Sequence, residues 1–113
     1  MLLVEDQEHV RRLVAYMLGK LGYDVIEARC GTDALAAAAQ VKIGLMLSDV
    51  VMPGMNLTEL IALIHETHPD AKIALMSGSN DSPVENLPMI RKPFRLHELA
   101  EFVATALGAG QRD

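Results

Sequence analysis

Apolar positions along the chain form two alternating kinds of run. Short, mainly apolar segments at Met1–Val4, Asp24–Ala28, Ile43–Ser48, Lys72–Met76 and Met89–Arg91 have the length of strands. Ile43–Ser48 is apolar almost throughout, as a strand covered on both faces must be. Between the strands the spacing turns helical. Val10, Leu13, Val14, Met17, Leu18 and Leu21 fall on one helical stripe, and Gly22 is placed to stop it. Thr32 is the expected cap of an Ala-rich second helix running to Gln40. Leu57, Leu60, Ile61 and Ile64 predict a third helix, stopped by His68–Pro69. Leu96, Leu99, Ala100, Val103 and Leu107 predict a last helix ended by Gly108. Gly78–Pro88 is rich in Gly, Ser, Asn, Asp and Pro and reads as loop.

This order predicts an α/β fold, a doubly wound five-stranded parallel sheet of flavodoxin-like type. Right-handed crossovers leave few windings, and the common one orders the strands 2-1-3-4-5. Its switch point, where a site is expected, lies between strands 1 and 3 at their carboxyl ends. The fourth helix, between strands 4 and 5, is expected to be shortened or missing, because the interval is brief and Pro83 and Pro88 interrupt it. One domain over residues 1–108 and a flexible tail over 109–113 complete the expected layout.

Composition changes this picture little. Half of the 113 residues are apolar, enough for a buried core. No run approaches the roughly 18 apolar residues of a membrane span, and no signal-peptide pattern opens the chain. The single Cys30 cannot pair within the chain, which favours a cytoplasmic setting. A formal charge of −5 argues against a nucleic-acid surface.

Candidate chemistry sits at the strand ends. Glu5 and Asp6 close strand 1, Asp49 strand 3, Ser77 strand 4 and Lys92 strand 5, so all are expected on one rim. Singly, each has a plainer reading: an acidic pair caps a helix, and Asp, Ser-Gly and Lys-Pro make turns. Their order along successive strands is what makes the set specific. Carboxylates in one cleft repel each other and favour a hard divalent cation. Mg²⁺ would suit Asp6, Asp49, a backbone carbonyl just after Asp49, and water. Lys92 adds a point charge for phosphoryl oxygens and Ser77 a hydroxyl donor, around Asp49 as nucleophile.

Over nearly its whole length the chain resembles response-regulator receiver domains. The resemblance is carried by Leu2-Leu3-Val4-Glu5-Asp6, Ser48-Asp49-Val50-Val51-Met52-Pro53-Gly54-Met55, Met76-Ser77-Gly78 and Arg91-Lys92-Pro93-Phe94. It implies that Asp49 accepts phosphate from a histidine kinase or histidine phosphotransfer protein. It implies that Asp6 binds Mg²⁺ directly, Glu5 mainly through water, and the Val51 carbonyl as a further ligand. Ser77 would be the switch hydroxyl, Lys92 would contact the phosphoryl group, and Lys92–Pro93 would be a cis peptide. The chain departs from the family pattern at Met89, where an aromatic residue is usual three positions before the lysine. It departs also at Leu57, where Gly is usual, and in its short segment from Ser77 to Lys92. These departures bear on the output surface more than on the chemistry. The brief first strand suits an excised or trimmed domain; with no output domain expected after the last helix, the chain suits a stand-alone receiver or the receiver module of a hybrid sensor kinase, and the compressed segment favours the hybrid kinase.

Two other functions compete. A receiver-like interaction module could act without phosphate. An aspartate-nucleophile phosphatase would turn over substrate, but such enzymes place a second Asp two residues after the nucleophile, where this chain has Val51. The seven Met residues read as core filler, with Met52 and Met55 near Asp49 candidates for a partner surface. His9, His65, His68 and His97 show no shared metal spacing and read as solvent-facing. Arg11, Arg12 and Lys20 read as a solvated helix face, which by family analogy docks the phosphodonor. The pattern leaves the oligomeric state open.

Overall fold

A computed structural model describes residues 1–52, 54–79, 84 and 86–108. The elements run β1 (Leu2–Val4), α1 (Glu8–Lys20), β2 (Ile26–Ala28), α2 (Gly31–Ala38), β3 (Leu45–Asp49), α3 (Leu57–Thr67), β4 (Lys72–Ser77), β5 (Met89–Arg91) and α4 (Leu96–Ala106). All five strands pair in parallel, in the order β2-β1-β3-β4-β5. The predicted sheet and winding are therefore present.

Side chains alternate across the sheet, and each face builds its own core. Leu2 and Val4 of β1, Met46 of β3, and Ile73 and Leu75 of β4 pack with Ala34 and Ala38 of α2 and with Leu60 and Ile64 of α3. Leu3, Leu45, Leu47, Ala74 and Met76 point the other way, onto Val14 and Leu18 of α1 and Leu99 and Val103 of α4. Every residue of β3 is buried, which explains its unbroken apolar character up to Ser48.

Several expectations need correction. The second helix starts at Gly31, before Thr32; Cys30 is its N-cap, without a side-chain bond, and its carbonyl accepts from the Ala34 N–H at 3.0 Å. Asp33, in that first turn, accepts instead from the Arg29 guanidinium at 3.0 Å. Leu13 is 60% exposed, so the buried stripe of α1 is narrower than its apolar pattern. Arg11 is not on a solvated face: it is 6% exposed and shares the core-facing side of α1 with Val14 and Leu18. His65 and His68 are partly buried and bond backbone carbonyls, His65 to Ala71 at 3.0 Å and His68 to Ala38 at 2.7 Å. Gly22 and Gly108 do follow their helices with positive φ, +95° and +78°.

Between β4 and β5, the described residues Gly78, Ser79, Val84 and Asn86–Pro88 contain no helix. Pro83, like the expected tail over 109–113, lies outside the described residues. Among the described residues no helix is long and apolar enough to cross a membrane.

Candidate functional site: an acidic pocket at the switch point

β1 and β3 are neighbours in the sheet, while the chain leaves them for opposite faces, so a crevice opens beyond their carboxyl ends. Glu5 follows β1 directly. Its N–H donates to the Ala28 carbonyl of β2 at 3.0 Å. Its carboxylate is buried and accepts from the Gln7 N–H at 3.1 Å and from Lys92 Nζ at 3.1 Å. Asp6, next in the chain, is exposed. Asp49 is the last residue of β3, 7% exposed, and its Oδ1 lies 3.5 Å from Lys92 Nζ. Carboxylate oxygens of Glu5, Asp6 and Asp49 all lie within 4.8 Å of one another.

Lys92 is brought to this cluster by the sheet edge. Its N–H donates to the Ser77 carbonyl at 2.7 Å, tying the end of β5 to the end of β4, and a cis peptide joins it to Pro93. Ser77 is thus on the same rim and is buried. Its hydroxyl accepts from the Ser79 N–H at 3.0 Å and lies 3.4 Å from the Ser79 hydroxyl. Val51, two residues past Asp49, has an outward side chain, 70% exposed. Nearby, the Ser48 hydroxyl donates to Met52 Sδ at 3.3 Å, and Asn56 caps α3 by accepting from the Thr58 and Glu59 N–H groups. Both contacts shape the loop that leaves Asp49.

Three carboxylates face one ammonium group, so the formal charge of the cluster is −2. Glu5 registers this. Burial pushes its carboxyl above the ordinary value of 4.5, and the Asp49 charge pushes the same way, against the Gln7 N–H and Lys92. Burial works against the Lys92 charge, but the hydrogen bond to Glu5 and the charges of Asp49 and Glu5 outweigh it and raise its pKa. The surplus negative charge and the all-oxygen donor set fit a hard divalent cation. An octahedral Mg²⁺ at about 2.1 Å from its ligands spaces neighbouring oxygens about 3 Å and opposite ones about 4 Å apart, both shorter than the 4.8 Å that bounds the separations in the cluster. Exposed Asp6 gives such an ion a route from solvent.

The rim expected from the strand ends is present, with Glu5, Asp6 and Asp49 clustered, Lys92 paired with Glu5 and Asp49, and Ser77 beside them, but the sequence reading missed Arg11. Its guanidinium donates from Nη1 to the Glu5 carbonyl at 3.2 Å and from Nε to Glu27 Oε1 at 3.1 Å. The signal existed: Arg11, Val14 and Leu18 follow i, i+3, i+7, which places Arg11 on the buried stripe.

Comparisons with known proteins agree with this architecture. Residues 1–104 match the response regulator receiver domain model. The chain is 37% identical over 115 residues to the sensor kinase CckA of Brucella abortus, a match spanning 94% of the chain but only 12% of that kinase. It is 32% identical to the response regulator receiver protein CpdR of Brucella abortus, with 94% of each covered. Among solved structures, the receiver domain of a hybrid histidine kinase CckA superposes with a TM-score of 0.81 at 33% identity, covering 94% of this chain and 96% of that one. The chain belongs to the response regulator receiver domain family, the phosphoacceptor class of two-component signalling.

Proposed function

We propose that this receiver domain takes a phosphoryl group onto Asp49 from the phosphohistidine of a histidine kinase or histidine phosphotransfer protein, and works as a switch or relay in the cytoplasm, where ATP-derived phosphohistidine is made. The observation that carries this reading is the position of the Asp49 carboxylate, at a strand end, beside two further acids and 3.5 Å from the Lys92 ammonium. A buried carboxylate beside a lysine ammonium at an acidic rim is placed to act as an oxygen nucleophile.

Asp6 and Asp49 would hold Mg²⁺ directly, with the Val51 carbonyl, and Glu5 through water. The bound ion supplies charge neutralisation for the acids and for the incoming phosphoryl oxygens. An Asp49 oxygen attacks phosphorus as the bond from phosphorus to the donor imidazole nitrogen breaks; the donor ring, protonated on its other nitrogen, takes the bonding pair and leaves as neutral histidine, and Asp49 becomes an aspartyl phosphate. Lys92 gives up part of its pairing with Glu5 to meet the new phosphoryl charge. The Ser77 hydroxyl turns from Ser79 and donates to a phosphoryl oxygen. The domain accepts one group per chain and turns over no separate substrate.

Amide spectra during a Mg²⁺ titration test this reading against a phosphate-independent interaction module. Saturable shifts centred on Asp6, Asp49 and Val51, reversed by a chelator and weakened at least about tenfold in Asp6→Asn, are expected. A rim indifferent to Mg²⁺ would support the interaction module instead.

A further inference from the structure

Arg11 is the one arginine the fold buries among the described residues. Burying a guanidinium is costly unless every contact is good, and its contacts are specific. Nη1 donates to the backbone carbonyl of Glu5 at 3.2 Å, in a buried setting. Nε donates to Glu27 Oε1 at 3.1 Å, and Glu27 is half-exposed on β2 opposite Leu3. Nη2 reaches only 4.0 Å from Glu8 Oε1, on an exposed side chain. The planar fork therefore bridges β2 to one peptide group.

That peptide joins Glu5 to Asp6. The Glu5 N–H is fixed by Ala28 of β2, and the Glu5 carboxylate by Gln7 and Lys92. The carbonyl is fixed by Arg11, and the plane of this peptide sets the direction in which Asp6 leaves the strand. Asp6 is the exposed member of the acidic cluster, so its aim depends on the backbone that carries it.

We infer that Arg11 is a positioning residue for the cation pocket: anchored by Glu27, it holds the Glu5 carbonyl so that the Asp6 carboxylate stays aimed at Asp49. This inference rests on the reading of Glu5, Asp6 and Asp49 as a Mg²⁺ site. It takes the machinery beyond the acidic rim, to α1 and the edge strand β2.

Charge and geometry predict opposite signs, which makes the claim testable. As a cation near the pocket, Arg11 repels Mg²⁺, so its charge alone would make removal tighten binding. As a positioning group, its removal weakens binding, by about tenfold if it acts like other groups that orient ligands from behind. Mg²⁺ dissociation constants are to be measured by calorimetry on the wild-type chain, Arg11→Met and Arg11→Lys, with melting temperatures alongside. The expected result is weaker binding in both variants, Arg11→Lys falling between Arg11→Met and wild type because it keeps the charge but loses the fork. If Arg11→Met proves unfolded, Arg11→Lys alone decides. A dissociation constant that stays at the wild-type value or tightens, whatever the melting temperature does, overturns the inference and leaves Arg11 a purely structural residue. Absence of Mg²⁺ binding by the wild type would instead remove the cation site itself, and this inference with it.

Discussion

Glu5 shows how the pocket trades stability for chemistry. Its carboxyl is buried, beside Asp49, and its pKa lies above 4.5 in the metal-free fold. A carboxyl whose folded pKa is raised binds its proton more tightly in the folded than in the unfolded chain. Its contribution is therefore full below the unfolded value and is lost as pH rises through the folded one. In chelator, the stability difference between Glu5→Gln and wild type should grow in favour of the variant as pH increases from about 4.5 toward neutrality. Thermal melts across that range check this; a difference that is flat, or that shrinks with pH, contradicts it. The four charged groups at the rim were readable because strand ends are fixed by the hydrophobic pattern. Arg11 was misread because a charged residue on a helix is ordinarily solvated; only the positions of Val14 and Leu18 marked its face as buried.

Among the elements, the second helix and the loop after Asp49 are the least expected pairing. Gly31 opens α2 against Met55. A methyl group built there would sit 2.7 Å from Met55 Sδ, 3.1 Å from Met55 Cβ and 3.4 Å from Met52 Cε. Gly31→Ala gains helix propensity worth at most about 1 kcal/mol, less at a first helical position. Overpacking costs about 1–3 kcal/mol. Part of that cost is relieved because the Met55 tip can swing away, so the variant should be destabilised by about 1 kcal/mol. Its amide shifts should be concentrated at Met52 and Met55. Denaturant unfolding with amide spectra tests both parts; a stabilised variant with an unmoved loop contradicts them. The pattern gave Thr32 as the cap because Thr is a common N-cap, yet Cys30 is the cap and the helix starts at Gly31, two residues earlier than a Thr32 cap would set it. Strand 2 likewise shrank to Ile26–Ala28, its edge position offering one neighbour only.

For the molecule as a whole, topology was the most legible level. Alternation of strand and helix runs, right-handed crossovers and a doubly covered β3 leave little choice but the order 2-1-3-4-5, and that order creates the crevice. Less legible was how the sheet is completed between β4 and β5, since Gly, Ser and Pro specify a break in regular structure but not the path taken. Met89 lies in β5, paired with Leu75, and packs against the α2–α3 side of the core. Met89 is half-buried there and puts a flexible thioether chain where the family pattern has an aromatic ring.

The central claim is that this rim exists to place a phosphoryl group on Asp49. Intact-mass measurement after incubation with a small phosphodonor and Mg²⁺ tests it most directly. The wild-type chain should gain one phosphoryl group, the chelator-treated chain and Asp49→Ala none. A full phosphoryl gain in Asp49→Ala would contradict the account.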